Sequence, residues 1–257
     1  KAAIIASLLA AGASVDTETT DRKLIKLSQK VAKDSAKHLD FLTSSQNNLR
    51  SARGLITYQS ASLLNWAFPK GKEKRARDRA RQQILAGAAK LAIDKNISIY
   101  GRLWAHFPAL ELEQADFAKL RKENISPKIK SDIIAAVKTA NAEAKTKYQR
   151  KSTVSGAVYL LRQVGDYELG RKILDNELID SSTPYFYQSS YSRLEADAGN
   201  QKAAQEWSDK ARKSATGRAT KIQWIVSDLA FNSKTNDNGT EKRMVALTKD
   251  FYELAFG

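Results

Sequence analysis

Apolar residues recur along this chain at intervals of three and four, the spacing that collects them on one face of an α-helix. Leu24, Leu27, Val31, Leu39 and Leu42 do so with Lys and Asp between them, and predict one long amphipathic helix over 21–47. A second helix is expected over 53–66, stopped by Pro69. A third, over 70–93, carries Ile84, Leu85, Ala88, Ala89 and Leu91 on its apolar side. Residues 97–107 form a short element with Tyr100, Trp104 and Phe107 as core aromatics, ended by Pro108, and a helix over 110–123 follows. Ser126-Pro127 is a start signal, with Ser as N-cap and Pro at the first helical position. From there Ile129, Ile133, Val137, Ala140 and Ala144 mark the inner face of a helix reaching about 147. Further helices are expected over 152–164, 167–180, 184–198, 200–214, 218–232 and 240–256. Residues 2–13 have the apolar look of a signal-peptide core behind one lysine, but are read here as the first helix, ending near Gly12. No run alternates Val, Ile or Thr with polar residues, so the expected class is all-α.

A longer period lies over this pattern. Gly165 and Gly199 are 34 residues apart, the repeat length of tetratricopeptide (TPR) helix pairs. Tyr159 to Glu168 reads as helix, tight turn, helix, and Tyr191 to Asn200 repeats the arrangement. Gly suits the left-handed turn, where a Cβ would clash. Ala203, Ala204, Trp207 and Ala211 give the second unit the small and large positions of a packed helix pair, and Gly170 and Leu174 take similar places in the first. The expected architecture is a TPR-like α-α superhelix, with an N-terminal helical region over 1–109 and the repeat region over 110–257, or one continuous solenoid. Such units stack to bury their apolar faces and leave a concave surface, commonly used to bind peptides or proteins.

Asn176-Glu177-Leu178, Thr183-Pro184-Tyr185-Phe186-Tyr187, Gly199-Asn200-Gln201-Lys202-Ala203-Ala204 and Gly217-Arg218-Ala219-Thr220-Lys221-Ile222-Gln223-Trp224 occur in that order. This succession resembles the helical, TPR-like tail of exported bacterial thioredoxin-family proteins, which carry a PYY segment, a GDxxAAL turn and a GxATRxQW motif. Lys221 stands where that pattern has Arg. The likeness covers roughly 150–232 and implies an accessory region in a periplasmic or secreted setting. The thioredoxin module is not in this chain, which has no cysteine, so these residues carry no thiol–disulfide exchange. Arg218 and Lys221, with Gln223 and Trp224, are candidates to hold an acidic or C-terminal group of a partner. Tyr185, Tyr187 and Tyr191 are candidates to line a peptide groove. Ordinary helix packing is the competing reading of all the aromatics.

Composition narrows the chemistry. Without cysteine there is no disulfide, thiolate metal site or cysteine nucleophile, and the two histidines, His38 and His106, are too far apart for an HExxH site. His38, beside the stripe of the first long helix, reads as structural. No segment approaches a membrane span. No phosphate loop, GxGxxG, GxSxG or SxxK occurs, so no cofactor or catalytic site is assigned, and a helical hydrolase with two convergent carboxylates is the least supported class. The net charge of +15 sits in three stretches, 70–81, 119–151 and 210–221. The runner-up to a protein- or peptide-binding module is therefore a nucleic-acid or polyanion binder, using Lys70, Lys72, Lys74, Arg75, Arg77, Arg79 and Arg81. No zinc-finger, RNP or GXXG signature accompanies that charge.

Overall fold

The computed structural model describes residues 1–14, 21–71, 74–114, 125–179, 181–233 and 239–257. Its regular structure is helical throughout those residues, as the periodicity predicts. No described helix is long and apolar enough to cross a membrane. The chain divides into two compact units, Lys1–Val164 and Gly165–Gly257. Residues 110–164, grouped with the repeats in the sequence reading, thus belong to the first unit.

The first unit contains α1 (Ala2–Ala13), α2 (Arg22–Lys33), α3 (Ser35–Thr43), α4 (Gln46–Ser51), α5 (Arg53–Tyr58) and α6 (Ser60–Ala67). It continues through α7 (Lys74–Ala92), α8 (Ile99–Trp104), α9 (Phe107–Gln114), α10 (Pro127–Glu143) and α11 (Lys147–Val164). Leu9, Leu39, Leu42, Leu49, Ile56, Leu63, Leu64, Ile84 and Leu91 are buried together in its core.

The single helix expected over 21–47 is three. Asp21 caps α2 by accepting from the Lys23 and Leu24 amides, and the chain breaks at Asp34, then again at Ser44-Ser45. Ser45 is extended and accepts from the Asn48 amide as the N-cap of α4. Ser44 Oγ donates to the Phe41 carbonyl. Short polar side chains that bond to nearby backbone compete with helix continuation, and the Thr-Ser-Ser-Gln-Asn-Asn run supplies several at once. The break also turns the stripe. Leu39 and Leu42 are buried, whereas Leu24 and Leu27 on α2 are exposed.

Other boundaries shift for local reasons. The helix expected over 53–66 is divided at Gln59, which has φ −134° and ψ 19°. Pro108 does not stop a helix but lies in the first turn of α9, where its missing N–H costs nothing. The Ser126-Pro127 start holds as read: the Ser126 hydroxyl accepts from the Ile129 amide at the head of α10.

Trp104 is the hub of an aromatic cluster. Its ring centroid lies 5.4 Å from Tyr58, 5.9 Å from Tyr100, 5.4 Å from Phe107 and 5.3 Å from Tyr159. Gly156 makes the approach possible, because a Cβ there would stand 2.7 Å from Trp104 Nε1. The cluster ties α5, α8, α9 and α11 together.

The second unit holds α12 (Tyr167–Leu178), α13 (Pro184–Asp197), α14 (Gln201–Ser214), α15 (Arg218–Asn232) and α16 (Thr240–Phe256). Each helix packs on the next in the chain. Gly199 joins α13 to α14 at φ 85°, in the left-handed region. The Asn200 amide reaches back to the Glu195 carbonyl at 2.8 Å, the six-to-one bond of a glycine-terminated helix. Gly165 and Gly217 share that positive φ at the heads of α12 and α15. Trp207 stacks on Tyr191 with centroids 4.3 Å apart and planes within 14°.

Candidate partner-binding site

The residues singled out on the second unit do not form one surface. Tyr187 and Tyr191 are buried. The Tyr191 hydroxyl donates to Asp175 at 2.6 Å, and burial raises its pKa, with Asp175 adding to the effect. Trp224 is buried too, meeting Tyr185 at 5.9 Å and Phe186 at 5.8 Å. Packing accounts for Tyr187, Tyr191 and Trp224. Arg218, Lys221 and Gln223 are exposed on the first turns of α15. Arg218 Nε donates to the Leu254 carbonyl near the end of α16, a cation placed at a helix C-terminus. Arg218 and Lys221 border a shallow hollow with Glu253 and Gly257.

Behind these residues lies a charge network within the second unit. Arg171 donates to Glu195 through Nε at 2.6 Å and Nη2 at 2.9 Å, and Asn200 adds a bond at 2.7 Å. The Arg171 bonds hold the Glu195 carboxyl below the usual range, against desolvation, with help from Asn200. A carboxylate lowered in the folded state stabilises above its unfolded pKa of about 4.3 and loses that contribution as pH falls through the folded value. In a urea titration at a series of pH values, the α12–α14 region should therefore weaken below about pH 4. Glu195→Gln should be less stable than the parent at neutral pH yet lose less on acidification. Equal acid sensitivity of the two proteins would remove Glu195 from the account.

The basic run of the first unit is also divided by the fold. Arg77 is 7% exposed and folds inward, donating Nη1 to the Leu64 and Phe68 carbonyls at 3.1 and 2.5 Å and Nη2 to Asn65 at 2.8 Å. It adds charged donors to the carbonyls where α6 ends, a structural task. Arg79 pairs with Asp40 at 3.0 Å. Lys70, Lys74 and Arg75 are exposed, and Lys72 lies outside the described residues. Arg81 turns elsewhere, toward a cavity the sequence reading did not anticipate.

That cavity, about 1010 Å³, lies within the first unit between α7 and α10 over α8 and α9. Its α7 wall runs through Arg81, Leu85, Ala88, Ala89, Ala92 and Ile93, and its α10 wall from Lys128 and Ile129 through Ala136 to Glu143. Lys95 at 2.8 Å and the closer Arg102 both bind Glu143, closing one end. The Lys95 bond, helped by the Arg102 charge, lowers the Glu143 pKa despite partial burial. Asp132 pairs with Lys128 at 2.6 Å, and Glu113 accepts from the Ser126 amide at 3.0 Å. His106 lines the same space, and burial lowers its pKa against the pull of Asp132, so the ring is neutral at pH 7.

Each carboxylate on the cavity thus has a cation or an N–H of its own. The pattern is that of an anchored rim around an apolar trough, suited to holding a ligand. Among the described residues no group of three or more His, Asp or Glu is placed to hold a metal ion. One signal for the trough was in the sequence. The helix over 70–93 has two adjacent apolar rows, Leu85-Ala88-Ala92 beside Ile84-Gly87-Leu91, where a single core contact needs only one.

Comparison of the chain with family models, curated proteins and solved structures gives no match.

Proposed function

We propose that this chain is a non-catalytic helical-repeat protein that binds a protein or peptide partner, and that its C-terminal region is of the TPR-like kind found behind exported thioredoxin modules. The observation that carries the binding reading is the α7–α10 trough, apolar along its walls and bordered by charged groups already committed to bonds. Such a surface is suited to recognising shape and apolar pattern. The repeat reading is supported by the 34-residue spacing of Gly165 and Gly199 and by their shared left-handed φ. A periplasmic or secreted location goes with the resemblance and is proposed with it.

The test is a selection of displayed random peptides on the immobilised chain at about 0.15 M and about 0.5 M salt. Peptides enriched at both concentrations are expected. No enrichment above a bare surface would overturn the reading. Enrichment confined to polyacidic sequences and lost at the higher salt would replace it with polyanion binding through exposed cations such as Lys74 and Arg75.

A further inference from the structure

The charge of α2 is left unbalanced by the fold. The helix carries Arg22, Lys23, Lys26, Lys30 and Lys33 and no acid, and all five side chains are exposed. None of the five forms an ion pair or a side-chain hydrogen bond among the described residues. The acids at its two ends are already occupied. Asp21 caps the helix by accepting from the Lys23 and Leu24 amides, and Asp34 lies 3.9 Å from Lys37. α1, which packs on α2, has no charged residue along its length and so offers no acid to offset the cations.

The same helix leaves apolar surface uncovered. Ser28 is buried, its hydroxyl accepting from the Trp66 indole at 2.8 Å and donating to the Gly12 carbonyl at 3.4 Å. These bonds fix which side of α2 is turned to the protein. Leu24 and Leu27 lie off that side and are 42% and 56% exposed. A single exposed leucine is ordinary. Leu27, however, has Leu24 at i−3, Lys23 at i−4 and Lys30 at i+3, the positions that meet on a helix surface. Leucines edged by lysines, whose stems lie along apolar surface while their charged heads reach away, suit a helix resting in a lipid headgroup layer. A nucleic acid would engage the cations and give the leucines no role. We propose that α2 docks the protein on an anionic bilayer surface, with Leu24 and Leu27 entering the headgroup layer and Lys23 and Lys30 meeting lipid phosphates beside them. The contact is peripheral, because a helix of 12 residues is about 18 Å long against about 30 Å of hydrocarbon. It is independent of the polypeptide-binding reading above.

The test is sedimentation of the full chain with vesicles of phosphatidylcholine alone or with about 30% phosphatidylglycerol, at about 0.15 M salt. Binding to the anionic vesicles should exceed binding to the neutral ones at least about tenfold. Lys23→Gln with Lys30→Gln should weaken it about tenfold, and Leu24→Ser with Leu27→Ser by a similar factor. All four side chains are exposed, so circular dichroism should be unchanged. The chain has no cysteine, so an environment-sensitive dye can be attached at one chosen position. On Leu27→Cys the dye emission should shift to the blue with anionic vesicles. On Gln29→Cys, exposed about 160° away around the same helix, it should not. This pair keeps both lysines and Leu24, and decides the question should the serine variant misfold.

Absence of binding to the anionic vesicles, or equal binding to the neutral ones, would overturn the proposal. So would a dye that responds alike at positions 27 and 29. A folded serine variant that binds anionic vesicles and a short DNA duplex as tightly as the parent would assign the α2 cations to polyanions at large, without a lipid role for the leucines.

Discussion

Trp104→Ala is expected to destabilise the first unit by about 3 kcal/mol, the low end for deleting a large aromatic, because the indole is half-buried and its neighbours cannot close the gap. Trp104 touches rings from four helices, Tyr58 on α5, Tyr100 on its own α8, Phe107 on α9 and Tyr159 on α11. Each edge or tilted contact adds about 0.5–1.5 kcal/mol beyond area burial. The indole N–H has no partner where it meets Gly156, so replacing the ring by Phe forfeits area but no hydrogen bond. Trp104→Phe should therefore cost well under half as much as the alanine variant. Urea unfolding followed by hydrogen exchange of α5 and α11 amides would separate the two. Equal losses would mean that a phenyl ring recovers none of the contact and that the full indole is needed to reach the four helices.

The second large effect belongs to the second unit. Asp228 has a side chain 1% exposed and accepts from Ser208 at 3.0 Å, Asn232 at 2.9 Å and Arg243 at 3.1 Å, with Arg212 Nε at 3.6 Å. Asp209 holds the other side of Arg243 at 2.5 and 3.2 Å. Removing one partner of a buried ion pair strands the other. Asp228→Ala should cost about 3 kcal/mol, toward the lower end for buried pairs, because both arginines are about a quarter exposed and keep Asp209 or Asp250. Asp228→Asn retains acceptor geometry without the charge and should fall between alanine and the parent. Protection of α14–α16 amides is the readout, and unchanged protection in Asp228→Ala would mean that Asp209 carries the network alone.

These two residues differ in how far the sequence announced them. Trp104 sits in a run of aromatics at helical spacing, which is sufficient to expect a core role, although not its four partners. Asp228 is an acid on an α15 stripe of Ile222, Ile225, Val226 and Leu229, and nothing local distinguishes it from a solvated one. Its burial depends on Arg212 and Arg243, 16 and 15 residues away in the chain. Arg77 shows the same limit in reverse. In the sequence it is one of seven cations in a run, and only the nearby end of α6, with the Leu64 and Phe68 carbonyls, turns it inward.

The helical class, the start of α10 at Ser126-Pro127 and the glycine-centred turn between α13 and α14 were legible in the residues themselves. Each follows from forces acting within a few residues: the 3.6-residue period of buried side chains, a hydroxyl reaching an amide three positions on, a missing Cβ where φ is positive. The tertiary structure alone decided which apolar rows were covered, so that Leu27 on α2 remains exposed while Leu39 is buried. It also decided that α7 and α10 stand apart over α8 and α9 to leave a trough. Periodicity reports that a face is apolar but not which neighbour meets it. That choice is made by contacts between residues tens of positions apart, such as Lys95 with Glu143, and no local pattern encodes them.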